Sequence, residues 1–401
     1  MRRECEVVSN VPEWLTHDYL CKVLLKDDNK DYKDWESQII PFNKANENTA
    51  TELFQIKLTN QKSPSKAINV MIKTLSENVS NSFGIPLHCQ ELMCKRESDI
   101  YIEFLSEVEK ILTEIGDNEM FFPKFYHSSE QPVVLVLKDL SLKGYFLNIK
   151  KFTLKDSKKL LEKIAKMHAL SYYMAENGRK DYRKFKILFS NPAEIVPIIH
   201  DAYDIFIECI ETWPACQQFA DKMKEFKPHY SKALNNLFVK MNNDKKFSVL
   251  VHGDIHIENV LYGSDDDIIL IDYQMTSWLS PAFDLLCFFN GFCTIEDNVY
   301  HRDLLIKHYH EYFRLTLKKL DFKKYIPTLV DVHVELAKYG LLDLAYWTVY
   351  ATTHFARSGA IPVKNIDIRE LIRSGMQNPN FRIISRLFAD FLEKGYLEIE
   401  D

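Results

Sequence analysis

The stretch from Val249 to Asp284 constrains this chain more than any other. It reads VLVHGDIHIENVLYGSDDDIILIDYQMTSWLSPAFD, and in it Asp254 follows His252 and Gly253 while Asn259 lies five residues further on. This is the spacing of a phosphotransferase catalytic loop, in which the aspartate meets the acceptor hydroxyl and the asparagine holds a metal ion. The spacing therefore predicts a catalytic role for Asp254 and a metal-binding role for Asn259.

Two short apolar runs predict a hairpin that brings a second metal ligand to Asn259. Residues 260–262 and 268–271 are mostly β-branched or aliphatic, and the turn-forming sequence GSDDD separates them. Antiparallel pairing of these strands places Asn259 beside Asp272, which follows the second strand. Magnesium prefers carboxylate and amide oxygens, and it neutralises charge on a transferring phosphoryl group. Asp272 is therefore predicted to complete the catalytic and metal-binding set.

Each of these residues, taken alone, has an ordinary structural explanation, because acidic residues near turns are usually just solvated. The combination of loop, hairpin and terminal aspartate favours a kinase-type site. Residues 301–304 read HRDL and look like a protein-kinase catalytic loop, but His308 stands where the asparagine is required. Apolar residues recur at helical spacing around them, so these residues are predicted to lie on a helix surface.

Three strands are predicted in the first third of the chain. Residues 51–59 alternate apolar and polar side chains, residues 66–76 form a second strand, and residues 131–136 form a third. In the second strand, Lys73 lies on the face opposite to Ile72. A lysine on a strand is more often solvent-facing, but the helix that follows favours Lys73 as the phosphate-binding lysine.

That helix is predicted from an apolar stripe at helical spacing, formed by Ile100, Phe104, Val108, Ile111 and Ile115. Glu97 lies one turn before the stripe, so we expect it to face inward towards Lys73. A lysine–glutamate ion pair holds the lysine against the α- and β-phosphates of ATP in protein kinases. Lys73 and Glu97 are therefore predicted to bind the nucleotide together.

Two connections are predicted to contact the nucleotide as well. The turn at residues 45–50 contains no glycine, so contacts to phosphate would come from backbone amides and from the hydroxyls of Thr49 and Thr51. An ordinary hairpin turn is an equally good interpretation. Leu137, Lys138 and Asp139 continue the third strand into a polar connection, which suits a hinge whose backbone pairs with adenine.

Beyond the hinge, the chain is predicted to be helical almost throughout. The segment after Asp272 is too short for the activation segment that presents a polypeptide to a protein kinase. Asp284 is expected to cap a helix or to brace the catalytic loop. A later stripe favours core packing, with an aromatic wall for the acceptor as the alternative; its members are Asp343, Tyr346, Trp347, Tyr350 and His354.

Composition sets the broad class of protein. The 401 residues exceed the usual size of one domain, and 51 basic against 57 acidic side chains give a net charge of −6, which argues against a nucleic-acid partner. The sequence shows no apolar run of a signal peptide or a membrane span, so we expect a cytoplasmic protein without membrane insertion. Nothing in it indicates an obligate protein partner, and the eight cysteines lack metal-site spacing.

With these residues placed, the chain resembles the ecdysteroid kinase-like family, relatives of choline kinases and aminoglycoside phosphotransferases. The resemblance covers nearly the whole chain. It is carried by PEWL at residues 12–15, IKT at 72–74, VLKDL at 136–140 and AKMHA at 165–169. It is sharpest in LVHGDIHIENVLY and in LIDYQ, where Gln274 stands in place of the protein-kinase glycine.

The resemblance implies an α+β, two-lobed protein-kinase-like fold, with an N-terminal lobe of antiparallel sheet and one long helix at residues 1–140 and a mainly helical lobe at residues 141–401. It implies ATP- and Mg²⁺-dependent phosphorylation of a small-molecule alcohol such as an ecdysteroid. Two departures are Asn46, where the family usually has glycine, and His256, where an aromatic residue is frequent. Two alternatives stay open: a choline- or aminoglycoside-type kinase, and a catalytically inactive pseudokinase that serves as a binding module.

Overall fold

The structure is a computed structural model, and the residues it describes are 11–26, 32–42, 51–75, 86–147, 153–188, 196–244, 246–264, 267–348 and 368–398. Its architecture is α+β, as predicted, with an antiparallel sheet near the N-terminus followed by a mainly helical part. Among the described residues, every helix is too short or too polar to cross a lipid bilayer.

The N-terminal sheet has five strands in the order β1-β2-β3-β5-β4, and all neighbouring pairs are antiparallel. The strands are β1 Trp35–Pro41, β2 Thr51–Asn60, β3 Ser63–Leu75, β4 Phe125–Glu130 and β5 Val133–Lys138. The three predicted strands are present as β2, β3 and β5. β5 begins and ends two residues later than the predicted 131–136, so Leu137 and Lys138 of the predicted hinge lie within the strand. The edge strands β1 and β4 were not predicted, because none of their side chains is buried and their apolar pattern is weak.

The first helix, α1 at His17–Leu25, begins after the PEWL sequence at residues 12–15. Thr16 is its N-cap and accepts a hydrogen bond from the Tyr19 amide at 3.2 Å. The hydroxyl of Thr16 therefore sets the start of this helix, and Pro12 lies outside it.

The predicted long helix is present, but one π-helical turn interrupts it. It consists of α2 at Leu87–Ile100, the π turn at Tyr101–Leu105 and α3 at Ser106–Glu114. Four members of the predicted stripe, from Ile100 to Ile111, are buried, whereas Ile115 is 37% exposed beyond the helix end. π turns inside helices are frequent at functional sites.

Ten helices described after residue 153 form most of the remaining chain: α4 Leu154–Glu176, α5 Val196–Ile210, α6 Gln217–Asn243, α7 Ala282–Gly291, α8 Ile295–Tyr300, α9 Arg302–Lys319, α10 Leu329–Lys338, α11 Gly340–Tyr346, α12 Ile368–Gln377 and α13 Phe388–Glu393. Local sequence sets some of their starts: Thr153 and Asp156 form a capping box before α4, and Thr328 and Asp331 form one before α10. The HRDL stretch lies at the start of α9 with Asp303 and Leu304 exposed, so its predicted surface position is confirmed.

Two small sheets contain the strands of the stretch from Val249 to Asp284. One contains β6 Phe146–Leu147, β8 Val260–Tyr262 and β9 Ile268–Leu270, and the other pairs β7 Val249–Val251 with β10 Ser277–Leu279. The predicted hairpin is confirmed, because β8 and β9 pair antiparallel with Val260 opposite Leu270.

The largest hydrophobic core crosses the predicted lobe boundary at residue 140. Side chains of α2, the π turn and α3, such as Tyr101 and Phe104, share this core with Leu161 of α4 and Leu285 of α7. A separate core lies between α1 and the other face of the sheet. The division at residue 140 therefore stays a prediction, and the long helix packs with the C-terminal helices as well as with the sheet.

Candidate active site

The loop at residues 252–259 runs from the buried strand β7 into a short 3₁₀ turn at Ile257–Asn259. Gly253 has φ +87°, and a Cβ atom there would lie 2.4 Å from the carbonyl oxygen of Met275, so the position requires glycine. The fully buried Asp284 accepts hydrogen bonds from the amides of His252 at 2.6 Å and Gly253 at 2.8 Å. Asp284 thus braces the loop, in agreement with the structural role expected for it.

The buried His168 completes that brace. Its Nε2 atom lies 2.9 Å from the Asp284 carboxylate, and its Nδ1 atom lies 2.8 Å from the Tyr309 hydroxyl. Both ring nitrogens have partners, so His168 is a satisfied core histidine.

Asp254 lies in a polar cluster that the loop itself supplies. Asn259 donates through Nδ2 to the Asp254 carbonyl at 3.0 Å and to its carboxylate at 3.2 Å. The Nε2 atom of His256 lies 3.4 Å from the same carboxylate. Burial acts to raise the pKa of Asp254, but the charge and hydrogen bond of His256 outweigh it and lower that pKa. Asp254 is therefore charged at neutral pH.

Asp272 follows β9 and lies beside Asn259. The amide of Ile271 donates to the Asn259 carbonyl at 3.0 Å, so the hairpin places the backbone of Asp272 next to the residue that pairs with Asn259. Asp272 has φ +69°, a left-handed conformation that costs a non-glycine residue about 1–3 kcal/mol and is found most often at functional sites.

Lys73 joins this cluster from the sheet. Its ammonium group donates to Glu97 at 2.7 Å and to Asp272 at 2.7 Å. Glu97 is 2% exposed, so the predicted inward-facing ion pair is present. Burial alone would lower the pKa of Lys73, but the carboxylates of Asp272 and Glu97 together raise it. The ammonium group therefore keeps its charge.

At the predicted hinge, the amide of Lys138 donates to the Lys124 carbonyl at 2.8 Å and that of Asp139 donates to Asn69 at 3.1 Å. The buried Asp139 carboxylate accepts from Gln55 Nε2 at 2.6 Å. Leu137 pairs within the sheet on both sides. An adenine ring would therefore have to meet this connection through other backbone groups.

The predicted phosphate-contacting turn is described in part. Thr51 is the first residue of β2 and lies opposite Leu75 in the sheet. Thr49 and Asn46 lie outside the described residues. The expected contacts of Thr49 and Thr51 with phosphate remain predictions.

The late aromatic stripe packs in the core where it is described. Trp347 is fully buried, and its ring centroid lies 4.1 Å from that of Phe391. The Asp343 carboxylate already accepts from Arg302 at 2.6 Å and from Asn290 at 2.7 Å. The described members of the stripe therefore favour core packing over an aromatic wall of the acceptor pocket. Tyr350 and His354 lie outside the described residues.

The oxygen donors fit a magnesium ion. Asn259 and Asp272, at one end of the β8–β9 hairpin, offer an amide and a carboxylate oxygen, which are donor types that suit a hard cation that keeps several waters and binds substrate phosphates. In the described part of the chain, no group of three His, Cys, Asp or Glu side chains could form a complete metal site by itself.

Sequence reasoning missed Arg96, the neighbour of Glu97 in α2. Its guanidinium donates to the carbonyls of Thr276 and Lys186 in the C-terminal part of the chain. An arginine beside the predicted Glu97 was a visible signal, but its partners depend on tertiary packing.

Comparison with known proteins places this geometry in a family. Residues 45–322 match the model of the ecdysteroid kinase-like family. The family match and the observed sheet, long helix and β8–β9 hairpin confirm the predicted protein-kinase-like fold. Among curated protein sequences, no significant match was found.

Solved structures with a similar course of the chain have low sequence identity. A spectinomycin phosphotransferase, APH(9)-Ia, in complex with ADP and spectinomycin is 16% identical over 88% of this chain and 92% of that one, with a TM-score of 0.41. An ethanolamine kinase of Plasmodium vivax is 12% identical over 94% and 93%, with a TM-score of 0.41. The choline kinase LicA from Streptococcus pneumoniae is 11% identical over 76% and 88%, with a TM-score of 0.33.

Proposed function

The chain belongs to the ecdysteroid kinase-like family of small-molecule kinases, and from this premise we propose that it transfers the γ-phosphoryl group of ATP to an alcohol hydroxyl. The observation that carries the proposal is that two bonded groups meet at the β8–β9 hairpin: Asn259 donates to Asp254, and Lys73 joins Asp272 to Glu97. The amide of Ile271, the residue before Asp272, donates to the Asn259 carbonyl. Phosphoryl transfer requires positioning and charge stabilisation more than covalent chemistry, and these groups supply both.

Asp254 acts in this proposal as the base that orients the acceptor hydroxyl and accepts its proton. Its lowered pKa keeps the carboxylate charged, and the hydrogen bond from Asn259 fixes its orientation. The 17% exposure of its side chain leaves room for an acceptor to reach it.

Asn259 and Asp272 would hold Mg²⁺ in this proposal. Because Asn259 donates through Nδ2 to Asp254, its Oδ1 atom is the oxygen that would bind the ion. The ion supplies positive charge that stabilises the transferring phosphoryl group. Lys73, held by Glu97, would bind the α- and β-phosphates of ATP.

For the acceptor, we propose an uncharged hydroxylated lipophilic compound of the ecdysteroid type. Family membership supports this choice. A cationic acceptor such as choline needs an acidic or aromatic cage, and the acid that the sequence offers for one, Asp343, is 3% exposed and paired with Arg302. Asp343 is therefore not available to bind the cationic group of choline or an aminoglycoside.

The experiment that tests the proposal is transfer of label from γ-labelled ATP, with Mg²⁺, to a panel of ecdysteroids with choline and an aminoglycoside alongside. Asp254→Asn serves as the blank, and Asp303→Asn serves as the matched control because Asp303 is an exposed aspartate in the first turn of α9. Labelled steroid that is lost in Asp254→Asn supports the proposal. ATP binding without transfer to any acceptor would favour the inactive binding module, and label on choline or the aminoglycoside would move the acceptor to that class.

A further inference from the structure

Arg96 connects α2 to two segments of the C-terminal part of the chain. Its Nη1 atom donates to the Thr276 carbonyl at 2.5 Å, and both Nη1 and Nη2 donate to the Lys186 carbonyl at 3.1 Å. The guanidinium carbon lies 5.2 Å from the centroid of the Phe185 ring, within the range of a cation–π contact. One side chain of α2 thus binds partners 90 and 180 residues away in sequence.

The two partner segments also support the catalytic loop. The amide of Trp278 donates to the Phe185 carbonyl at 2.6 Å, which joins the two segments to each other. The Thr276 hydroxyl donates to the His252 carbonyl at 3.4 Å, and β10 pairs with β7, the strand that leads into the loop. Arg96 therefore binds the same framework that holds Asp254, while the adjacent Glu97 binds Lys73.

The acceptors of Arg96 are backbone carbonyls and one hydroxyl, that of Ser277 at 3.4 Å. A guanidinium presents its donors in a rigid fork, and hydrogen bonds from a charged donor are stronger than neutral ones. Burial lowers the pKa of Arg96 to about 10, so the group still carries its charge at neutral pH. This attachment depends on the path of the backbone, and no partner carboxylate has to be charged for it to form.

Aromatic packing reinforces the same contact. Tyr101, in the π turn that follows α2, packs edge-on against Tyr273 with ring centroids 5.8 Å apart. Tyr273 directly follows Asp272. The short segment after Asp272 is thus held against the long helix at both ends. The Arg96 guanidinium binds Thr276 at one end, and Tyr101 packs against Tyr273 at the other.

We propose that Arg96 is a positioning residue that docks α2 on residues 273–277 and so keeps Glu97 bonded to Lys73 without an activating signal. The proposal rests on the proposed kinase function. In protein kinases, phosphorylation of the activation loop controls the position of the corresponding helix. In this chain, the segment after Asp272 reaches β10 within a few residues. The Thr276 carbonyl in that segment accepts the hydrogen bond from Arg96 of α2.

The test compares Arg96→Ala and Arg96→Lys with the wild type, using steady-state kinetics and hydrogen exchange of the amides in residues 87–100. We expect kcat of Arg96→Ala to fall about 10- to 100-fold, the usual effect of small misplacement in a catalytic site. The KM for the acceptor should stay within about twofold, while exchange in α2 rises about tenfold, as expected for a helix that opens locally. Arg96→Lys should fall between the two, because a single ammonium group cannot reproduce the fork.

Two further readouts separate positioning from a general loss of structure. Guanidinium ion at millimolar concentration should restore part of the kcat of Arg96→Ala and lower the exchange of α2. Glu103→Gln is the matched control, because the partly exposed Lys184–Glu103 pair joins the same two regions at their surface. That variant should keep kcat within about twofold of the wild type, as is usual for a surface ion pair.

Unchanged exchange of α2 in Arg96→Ala would overturn the proposal, whether kcat falls or stays within twofold of the wild type. If Arg96→Ala does not fold, Arg96→Lys decides: increased exchange of α2 supports the proposal and wild-type exchange overturns it. If the wild type transfers no phosphoryl group to any acceptor, the proposed function fails. The exchange measurement then still decides whether Arg96 docks α2.

Discussion

The two halves of the candidate site are built in different ways. Asp254, Asn259 and Asp272 come from one continuous stretch and meet through a loop and a hairpin. Lys73 meets Glu97 across 24 residues and Asp272 across 199 residues. The local half, Asp254 with Asn259 and Asp272, thus depends on local chain geometry. The assembled half, Lys73 with Glu97, depends on how α2 and the sheet pack against the C-terminal helices.

This difference means that the two halves should respond differently to change. A variant of Asp254 in the local half should impair the chemical step and leave nucleotide binding intact. Asp272 lies in the same stretch but also pairs with Lys73, so a variant of Asp272 should impair nucleotide binding. A variant of the assembled half should impair nucleotide binding first. The predictions below test that separation, from the largest expected effect to the smallest.

Replacement of Asp254 by asparagine should lower kcat about 10²- to 10⁴-fold, because it removes a positioned general base. Nucleotide affinity should stay within about threefold, since Lys73, Glu97 and Asp272 are untouched. Single-turnover transfer and equilibrium binding of ATP measure the two quantities. An equal loss of both would mean that the two halves of the site do not act separately.

Replacement of Asp272 by asparagine should weaken Mg²⁺-dependent nucleotide binding about 10- to 100-fold, the usual effect of disturbing a metal site. The change removes the charge of a predicted ligand and one of the two ion pairs of Lys73. A magnesium titration of nucleotide binding measures it. If the titration curve of the variant overlays that of the wild type, Asp272 does not belong to the metal site.

Replacement of Asp284 by asparagine should destabilise the protein by about 1–3 kcal/mol, because the amide cannot accept from both loop N–H groups and still satisfy His168. Urea unfolding measures the change, with Asp303→Asn as the control at an exposed position. Such a loss of stability would show that the buried Asp284 carboxylate is needed to hold the loop at residues 252–259. A variant as stable as the wild type would show that the hairpin holds the loop by itself.

The pH dependence of kcat/KM should report on His256. Burial acts to lower the pKa of His256, but the Asp254 carboxylate outweighs it and raises that pKa above its ordinary value of 6.5. Below this pKa the imidazolium pairs with Asp254 and withholds it from the acceptor proton, so activity should rise as the pH rises through it.

In His256→Asn, the acidic limb of the profile should move to lower pH, because the imidazolium that withholds Asp254 is gone. At pH 6 the variant should therefore lose less of its own maximal activity than the wild type does, by a factor of about two to five. Profiles of kcat/KM for both proteins, measured at constant ionic strength, check this. Superimposable limbs would assign the titration to another group.

Much of the fold was predictable because it depends on patterns of apolar and turn-forming residues that are close together in sequence. The alternation in β2 and β3, the apolar stripe of the long helix and the hairpin after Asn259 all follow from side-chain period and turn chemistry. The start of α1 at His17 and the π turn at Tyr101 were not predicted, because a capping hydroxyl and packing against other elements decide them.

The sequence by itself determined the loop at residues 252–259, the hairpin that joins Asn259 to Asp272, and the orientation of Lys73 towards Glu97. Spacing, strand pairing and helical periodicity act over a few residues and can be read without coordinates. Tertiary structure alone decided that Asp284 braces the loop, that Asp343 is paired with Arg302, and that Arg96 joins α2 to Thr276. These contacts join residues far apart in sequence, so they exist only once the helices pack and bury their polar groups together.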